Sequence, residues 1–252
     1  MTAKPAAAQA RARAAWRAGE PGERLEDARP QDLDPAAASS LGCTPWWRHL
    51  YLDFKRYEAT GDSWGTILLS QGFWASTVYR LSHAAVTGAR PALLRRPLRV
   101  LATLAQKAVE IVTGICIPAK AEIGQGLYIG HYGAIILPRH GRIGHNCSFA
   151  QNSTIGVAGT GENRGAPVIG DRVFVGAHSV VVGKISIGDD AMICAGSIVT
   201  RSVPPRAVVM GNPARVVSYG GSFDHVLYPG MAADESRRRS LEAALLARHP
   251  PA

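Results

Sequence analysis

Apolar residues recur at every sixth position through the middle of this chain, and that period limits the folds open to it. Thirteen residues carry it in three unbroken frames: Ile117, Ile123, Ile129 and Ile135; Ile143, Phe149 and Ile155; Ile169, Val175, Val181, Ile187, Ile193 and Val199. A glycine often follows the periodic residue, as at Gly124, Gly144 and Gly170. Neither a helix nor an alternating strand has this period, which is typical of stacked hexapeptide turns.

The physical meaning of the period is a coil with three sides. Each hexapeptide is expected to form a short strand and a tight turn, with the apolar residue inside and glycine at the crowded corner. The predicted fold is mainly β, a left-handed parallel β-helix over residues 114–217 that follows an α-helical domain. A coincidental repeat in a β-sandwich is the alternative, and thirteen periodic residues make it unfavourable.

The two interruptions of the period are predicted to be loops that leave the coil. The first covers Leu137 to Arg142, and the second is the glycine-rich stretch Val157 to Val168. Within the second, Gly159 to Gly165 is glycine-rich like a phosphate-binding loop. It lacks the Lys-Ser/Thr ending and the strand-to-helix context, so a nucleotide site is not expected.

The flanking segments differ from the repeat in composition. Residues 1–42 hold almost no large apolar side chains, which predicts a disordered tail. Residues 43–113 carry apolar residues at helical spacing from Trp46 onwards and are predicted to form the helical domain. Residues 218–252 are predicted to be a C-terminal tail in which Ala233 to Arg248 form a short basic helix, either capping the end of the coil or unattached.

Charge and cysteine content restrict the partners without choosing one. The net charge of +9 favours a phosphorylated cofactor, nucleic acid or an acidic membrane surface. No stretch reaches the roughly 18 apolar residues of a membrane span and no signal peptide is visible, so a cytoplasmic location is expected. Cys43, Cys116, Cys147 and Cys194 form no CxxC pair, so they are expected to be reduced, with no metal site.

Three stretches resemble the serine O-acetyltransferases and their polysaccharide-modifying relatives, within the hexapeptide-repeat acyltransferases. Ser63-Trp64, Gln71-Gly72-Phe73 and Tyr79-Arg80-Leu81-Ser82-His83 resemble the end of that family's helical domain. Gly126-Leu127-Tyr128-Ile129-Gly130-His131 resembles the coil with its catalytic histidine. Ala195-Gly196-Ser197-Ile198-Val199, Val203-Pro204-Pro205 and Gly211-Asn212-Pro213-Ala214-Arg215 resemble its CoA-binding end. The resemblance covers about residues 45–217.

The resemblance implies an acetyl-CoA-dependent O-acetyltransferase with His131 as the base. His131 stands two positions after the inward Ile129, so it is expected at a corner, pointing outward. A neutral imidazole can take a hydroxyl proton at neutral pH, and the oxygen then attacks the thioester directly. On position alone, a polar corner residue in contact with solvent is an equally good interpretation of His131.

The resemblance also implies a cofactor groove and an assembly. Acetyl-CoA, as co-substrate, is expected along small residues of successive coils, with basic side chains near its phosphates. The residues concerned are Gly156, Ala177, Ala195, Gly196, Lys184, Arg201, Arg206 and Arg215. A homotrimer with each site between two chains is implied, with a dimer of trimers as the larger alternative. No nucleic acid partner is expected.

Departures from the family's pattern bear on the acceptor. The acidic residue before the catalytic histidine is replaced by Gly130, and a carboxylate one coil earlier by Cys116. A glutamate that contacts the acceptor aligns with Arg139, and a second histidine aligns with Ala166. Glu58 keeps the charge of an acceptor-binding acid, so Glu58 and Arg139 are the candidate acceptor-binding residues. Loss of the groups that recognise a zwitterion predicts a saccharide or polysaccharide hydroxyl as the acceptor.

Three alternatives remain open. One is serine O-acetylation, and another is a catalytically inactive β-helix that acts as a scaffold. The third is membrane association through the basic helix from Leu93 to Val112, where Arg95, Arg96 and Arg99 stand among leucines. Packing of that helix in the domain core is the competing interpretation.

Overall fold

The computed structural model of the chain describes residues 23–24, 45–88 and 92–248. The disordered tail predicted over residues 1–42 therefore lies outside the described residues except at Glu23–Arg24, and so does Cys43. Four helices precede the β region: α1 (Trp46–Ala59), α2 (Trp64–Leu69), α3 (Gln71–Thr87) and α4 (Ala92–Thr113). Helix α3 packs against both α1 and α4.

From Ile115 onwards, short strands follow one another around three sheets. Sheet I holds β2 (Ile115–Cys116), β5 (Ile135–Ile136), β8 (Thr154–Gly156), β11 (Val180–Val182) and β14 (Ile198–Val199). Sheet II holds β3 (Glu122–Ile123), β6 (Arg142–Ile143), β9 (Val168–Ile169) and β12 (Ser186–Ile187). Sheet III begins with β4 (Tyr128–Ile129), β7 (Ser148–Phe149), β10 (Phe174–Val175) and β13 (Met192–Ile193). Each strand pairs in parallel with the strand one coil away.

Sheet III ends in an antiparallel hairpin. Strand β15 (Val208–Gly211) continues the parallel series, and β16 (Ala214–Ser218) turns back along it. Strand β1 (Glu23–Arg24) pairs antiparallel with β16. The N-terminal edge of this sheet, β4, has no strand beyond it in the described part of the chain.

The periodic residues fill the inside of the coil. All thirteen are buried, and none is more than 5% exposed. Ile129, Phe149 and Val175 stand in register on successive coils, so each side chain packs on the one below. Burial of this continuous column is the main source of stability that the sequence period predicts.

The first predicted loop is wrong. Leu137 is 2% exposed, Gly141 N donates to Pro138 O at 3.1 Å, and β6 begins at Arg142, so the segment is an enlarged corner of the coil. The same enlargement occurs one coil earlier, where Ile115 pairs with Ile135. The first periodic residue is therefore Ile115. Ile117 is an additional inward residue of the enlarged corner, and it matched the period because it lies six positions before Ile123. The second loop does leave the coil, between β8 and β9, with a short 3₁₀ turn at Gly161–Asn163.

Side chains of the helices cap the open edge of the first coil. Gln106 Nε2 donates to Ile117 O at 2.5 Å, and Tyr79 Oη donates to Ala121 O at 2.8 Å. Arg80 donates to Ile123 O at 2.7 Å and Gly124 O at 2.6 Å. The bound carbonyls belong to the coil that has no coil below it. The helices therefore complete hydrogen bonds that an exposed edge would leave to water.

The C-terminal segment packs on the side of the coil. Ser222 N donates to Asp190 O at 2.9 Å, and the Arg237 guanidinium donates to the carbonyls of Phe223 and Val226. Helix α5 (Glu235–Arg248) follows. The C-terminal segment neither caps the end of the coil nor stands unattached, the two alternatives predicted for it. It lies along the corner between sheets II and III.

Candidate functional site

His131 lies in the turn between β4 of sheet III and β5 of sheet I, and its side chain is exposed. We call this corner of the coil, repeated on each turn, the site corner. It comprises His131–Gly133, Gln151–Asn152, Ala177–His178 and Ala195–Gly196. His178 N donates to Gln151 O at 3.1 Å and Gly196 N to Ala177 O at 2.8 Å, so the turns stack directly.

Left-handed backbone at the site corner explains its residue types. Gly133, Asn152, His178 and Gly196 have φ of 122°, 58°, 58° and 71°. Glycine and asparagine adopt such angles at low cost, which is why the repeat carries them here. The outcome is a column in which His131 shares one corner with the small residues Ala177, Ala195 and Gly196.

Helices α1 and α3 fix the strand that leads into His131. Tyr57 Oη donates to Ile129 O at 3.0 Å and accepts from Ile129 N at 3.2 Å. A Cβ at Gly72 would stand 2.1 Å from Ile129 O, so glycine is required for α3 to approach β4. These two contacts, two residues before His131, give Gly72 of the Gln71-Gly72-Phe73 motif a physical role.

A buried ion pair holds the same coil. Arg80 Nε and Nη2 donate to the two carboxylate oxygens of Asp53 at 2.8 and 3.1 Å, and Asp53 Oδ1 accepts from Leu127 N at 2.9 Å. Both side chains are almost fully buried. Because each is paired and hydrogen-bonded to backbone, removal of one partner would leave an uncompensated buried charge.

A carboxylate lies beside Cys116 despite the loss of the acid at that position. Burial, and after it the Glu110 carboxylate on the last turns of α4, raise the pKa of the Cys116 thiol, which stays protonated at neutral pH. Glu110 also pairs with Lys107 at 2.6 Å. The turn of His131 stacks on this end of α4, since Gly133 N donates to Thr113 O at 3.1 Å. Sequence reasoning missed Glu110, because the acid is on the helix and six residues before Cys116.

The predicted acceptor residues lie apart from one another. Glu58 on α1 is engaged by Lys55 Nζ at 2.5 Å and by Trp64 Nε1 at 3.0 Å. Arg139 is exposed in the enlarged corner between sheets I and II. Within a single chain, neither is on the site corner.

The predicted cofactor residues divide among the corners. Ala177, Ala195 and Gly196 share the site corner with His131, and Gly156 ends β8 of sheet I. Lys184 and Arg201 lie at the corner between sheets I and II, where Lys184 Nζ donates to Glu162 O of the loop at 3.2 Å.

Two of the predicted basic residues lie elsewhere. Arg206 is at the corner between sheets II and III, with Nη1 donating to Ser240 O at 3.5 Å, and Arg215 is on β16. Within the described residues, no three His, Cys, Asp or Glu side chains are grouped so that they could hold a metal ion.

Comparison with known proteins identifies the family. The family model described as hexapeptide repeat of succinyl-transferase matches residues 168–201. Serine acetyltransferase of Mycobacterium tuberculosis is 37% identical over 175 residues, which cover 68% of this chain and 73% of that protein. The chain belongs to the serine acetyltransferase family. Mitochondrial serine acetyltransferase 3 of Arabidopsis thaliana is 36% identical over 82% of the chain, although the match spans 45% of that longer protein.

Solved structures of the serine acetyltransferase family share the fold. The Neisseria gonorrhoeae enzyme in complex with serine has a TM-score of 0.59 at 30% identity, covering 71% of this chain and 72% of that one. A serine acetyltransferase in complex with CoA has a TM-score of 0.56 at 28% identity, covering 72% of each chain. The predicted fold, a left-handed parallel β-helix with N-terminal helices, is thereby confirmed. Membership of the serine acetyltransferase family also confirms the predicted enzyme class, acetyl-CoA-dependent O-acetyltransferase.

Proposed function

We propose that the protein transfers the acetyl group of acetyl-CoA to the hydroxyl of serine, with His131 as the general base. The observation that carries the proposal is the site corner, where an exposed histidine stands in one column with small residues in a chain of this family. The relatives named above are serine acetyltransferases, and one of the similar structures holds serine. These findings favour serine over the saccharide acceptor predicted from the departures in sequence.

The mechanism is direct transfer. The His131 imidazole takes the proton of the acceptor hydroxyl while its oxygen attacks the thioester carbonyl carbon. The tetrahedral intermediate collapses, the carbon–sulfur bond breaks, and CoA leaves as the thiolate. The proton held by His131 then passes to sulfur, which returns the imidazole to its neutral form.

Acetyl-CoA fits the column of small residues. Its pantetheine arm would lie along Ala177, Ala195 and Gly196, past Gly156, since side chains larger than alanine would hold it away from the backbone. Lys184 and Arg201, beside the projecting loop, are the cations placed to meet its phosphates. Arg206 is left out of this proposal because it lies on another corner and donates to Ser240.

Glu110 is proposed as the positioning residue of the site. It provides a carboxylate beside Cys116, on the element that supports the His131 turn. A negative charge near that turn favours the imidazolium that forms during transfer. An acid at this end of the helix favours an enzyme over the inactive scaffold.

A homotrimer is proposed as the active form, with each site completed by a neighbouring chain. Tyr132 and Ile136, next to His131, are 66% and 46% exposed, which a partner subunit would cover. The neighbouring chain would also bring its own Arg139 or Glu58 to the acceptor.

A saccharide hydroxyl is the second candidate acceptor. The observation that favours it is the absence of charge at Gly130 and Ala166, together with a Glu58 carboxylate already bound by Lys55 and Trp64. An amino-acid ammonium group is bound best by a free carboxylate, whereas the neutral hydroxyls of a sugar need no charged partner.

The test is release of CoA thiol from acetyl-CoA over a panel of amino acids and saccharides. Release that depends on serine supports the proposal. Release that occurs with saccharides and not with serine contradicts the proposal and supports the second candidate, a saccharide acceptor. No release above the acetyl-CoA hydrolysis background with any acceptor contradicts both and leaves the scaffold.

A further inference from the structure

Helix α4 carries a stripe of exposed apolar side chains along its outer face. Val100, Leu101, Leu104, Ile111 and Val112 are 59%, 64%, 63%, 82% and 70% exposed. At 3.6 residues per turn, these positions fall within an arc of about 120° on the helix. We call this set the α4 stripe.

The orientation of the α4 stripe is fixed by the opposite face of the helix. Ala102, Ala105 and Val109 are half-buried towards the rest of the protein, and Ser82 Oγ donates to Ala102 O at 3.4 Å. Gln106 Nε2 donates to Ile117 O on the first coil. The helix therefore cannot turn its apolar stripe inwards without breaking these contacts.

The charges of α4 are almost all positive. Its sequence holds four basic residues and one acid: Arg95, Arg96, Arg99, Lys107 and Glu110. On the helical wheel, Arg96 and Lys107 border the α4 stripe along one side, and the single acid is already paired with Lys107. Apolar surface flanked by cations is the pattern of a helix that lies on an anionic bilayer.

We propose that the α4 stripe binds in the plane of an anionic membrane surface, with Arg96 and Lys107 at its edge meeting lipid head groups. None of the helices in the described residues is long and apolar enough to cross a membrane. The net charge of +9 adds a long-range attraction to anionic lipid. Nucleic acid would match the cations and leave the apolar arc in water.

A second copy of the chain fits the stripe less well than lipid does. A two-fold contact through α4 would bring Arg96 of both chains to the edge of the paired stripes. The α4 stripe itself contains no acid that could neutralise these charges. Lipid phosphates supply the opposite charge directly.

The experiment is co-sedimentation of the full chain with vesicles of phosphatidylcholine alone and of phosphatidylcholine mixed with phosphatidylglycerol. Wild type should bind the mixed vesicles, bind the neutral ones far less, and be released by salt. The double variant Leu101→Glu/Leu104→Glu should lose binding. The variant Arg96→Gln should weaken it about fivefold. Leu68→Glu/Leu69→Glu is the matched control, because these leucines on α2 are 59% and 73% exposed, outside α4.

Several results would overturn the proposal. One is that the wild-type protein stays in the supernatant with both vesicle types. Another is that Leu101→Glu/Leu104→Glu binds vesicles as strongly as wild type. A lower particle mass for that variant in light scattering assigns the stripe to a second copy instead. Circular dichroism checks folding. If the glutamate variant fails to fold, the wild-type and Arg96→Gln measurements decide the question.

Discussion

The hydroxyl of Tyr57 makes two hydrogen bonds to one residue, donating to the carbonyl of Ile129 at 3.0 Å and accepting from its N–H at 3.2 Å. Strand β4 is the N-terminal edge of sheet III, and Tyr57 satisfies backbone groups that no described strand reaches. The relationship joins helix α1 to the strand that leads into His131. Tyr57 thus contributes both to capping of the β-helix edge and to positioning of the strand before the candidate base.

Loss of this hydroxyl should destabilise the protein. Tyr57→Phe leaves a buried N–H and carbonyl without partners, and the free energy of unfolding should fall by roughly 1–3 kcal/mol. Urea denaturation measures it. Tyr51→Phe is the matched control, since Tyr51 on the same helix is 55% exposed and should change little. Equal effects of the two substitutions would contradict the role given to Tyr57.

Gly72 should not tolerate a methyl group. In Gly72→Ala the new Cβ would lie 2.1 Å from Ile129 O and 2.8 Å from Ile129 Cβ, so α3 must move away from β4. We expect a loss of stability of about 3 kcal/mol or more.

The control for Gly72→Ala is Gly65→Ala on α2, where no atom stands within 4 Å of the added Cβ. Alanine there should be neutral or stabilise by up to about 1 kcal/mol. A Gly72→Ala protein as stable as wild type in thermal denaturation would disprove the close approach.

His49 should make stability depend on pH. Burial, and after it the Arg80 guanidinium, lower the pKa of His49 to about 4 in the folded protein. The unfolded chain takes up this proton near pH 6.5 and the folded chain does not. The free energy of unfolding should therefore fall as pH drops from 6.5 towards 4, by at most about 3 kcal/mol.

The measurement is urea denaturation across that pH window. His49→Gln should remove this part of the dependence. The exposed His140, replaced in the same way, should leave it unchanged. If the stability of His49→Gln depends on pH in the same way as that of wild type, groups other than His49 cause the dependence.

Ala195 should control access of the cofactor. It is exposed on the site corner, so Ala195→Phe should fold normally while its ring occupies the path proposed for pantetheine. We expect CoA affinity, measured by calorimetry, to fall at least about tenfold, with serine or sugar binding less affected. Ala233→Phe, at an exposed alanine of the C-terminal segment, is the control. Unchanged affinity in Ala195→Phe would mean that the groove lies elsewhere.

The coil could be predicted from the sequence because its determinants are local. An inward residue every six positions and a left-handed turn residue are both visible along the chain, and Ile129, Phe149 and Val175 stack as expected. Ile117 misled the prediction for a local reason as well. An enlarged corner adds its own buried residue two positions after Ile115, and spacing cannot distinguish the two.

Contacts between helices and coil could not be predicted in the same way. Tyr57 and Ile129 are 72 residues apart, and nothing near Tyr57 in the sequence indicates its partner. Glu110 was missed because helix α4 brings it to Cys116 from another element. The common corner of His131 and the small residues of its column could be predicted, because position within the repeat already places a residue on a corner.

Substitution of His131 tests the central claim most directly. The measurement is the rate of CoA thiol release from acetyl-CoA with the acceptor identified in the screen, together with CoA affinity. His131→Ala should lower the rate by roughly 10²–10⁴ with CoA affinity and thermal stability close to wild type, because the side chain is exposed. His140→Ala, at an exposed histidine on a different corner, should keep full activity. A His131→Ala enzyme that releases thiol at the wild-type rate would contradict the assignment of the base and of the site built around it.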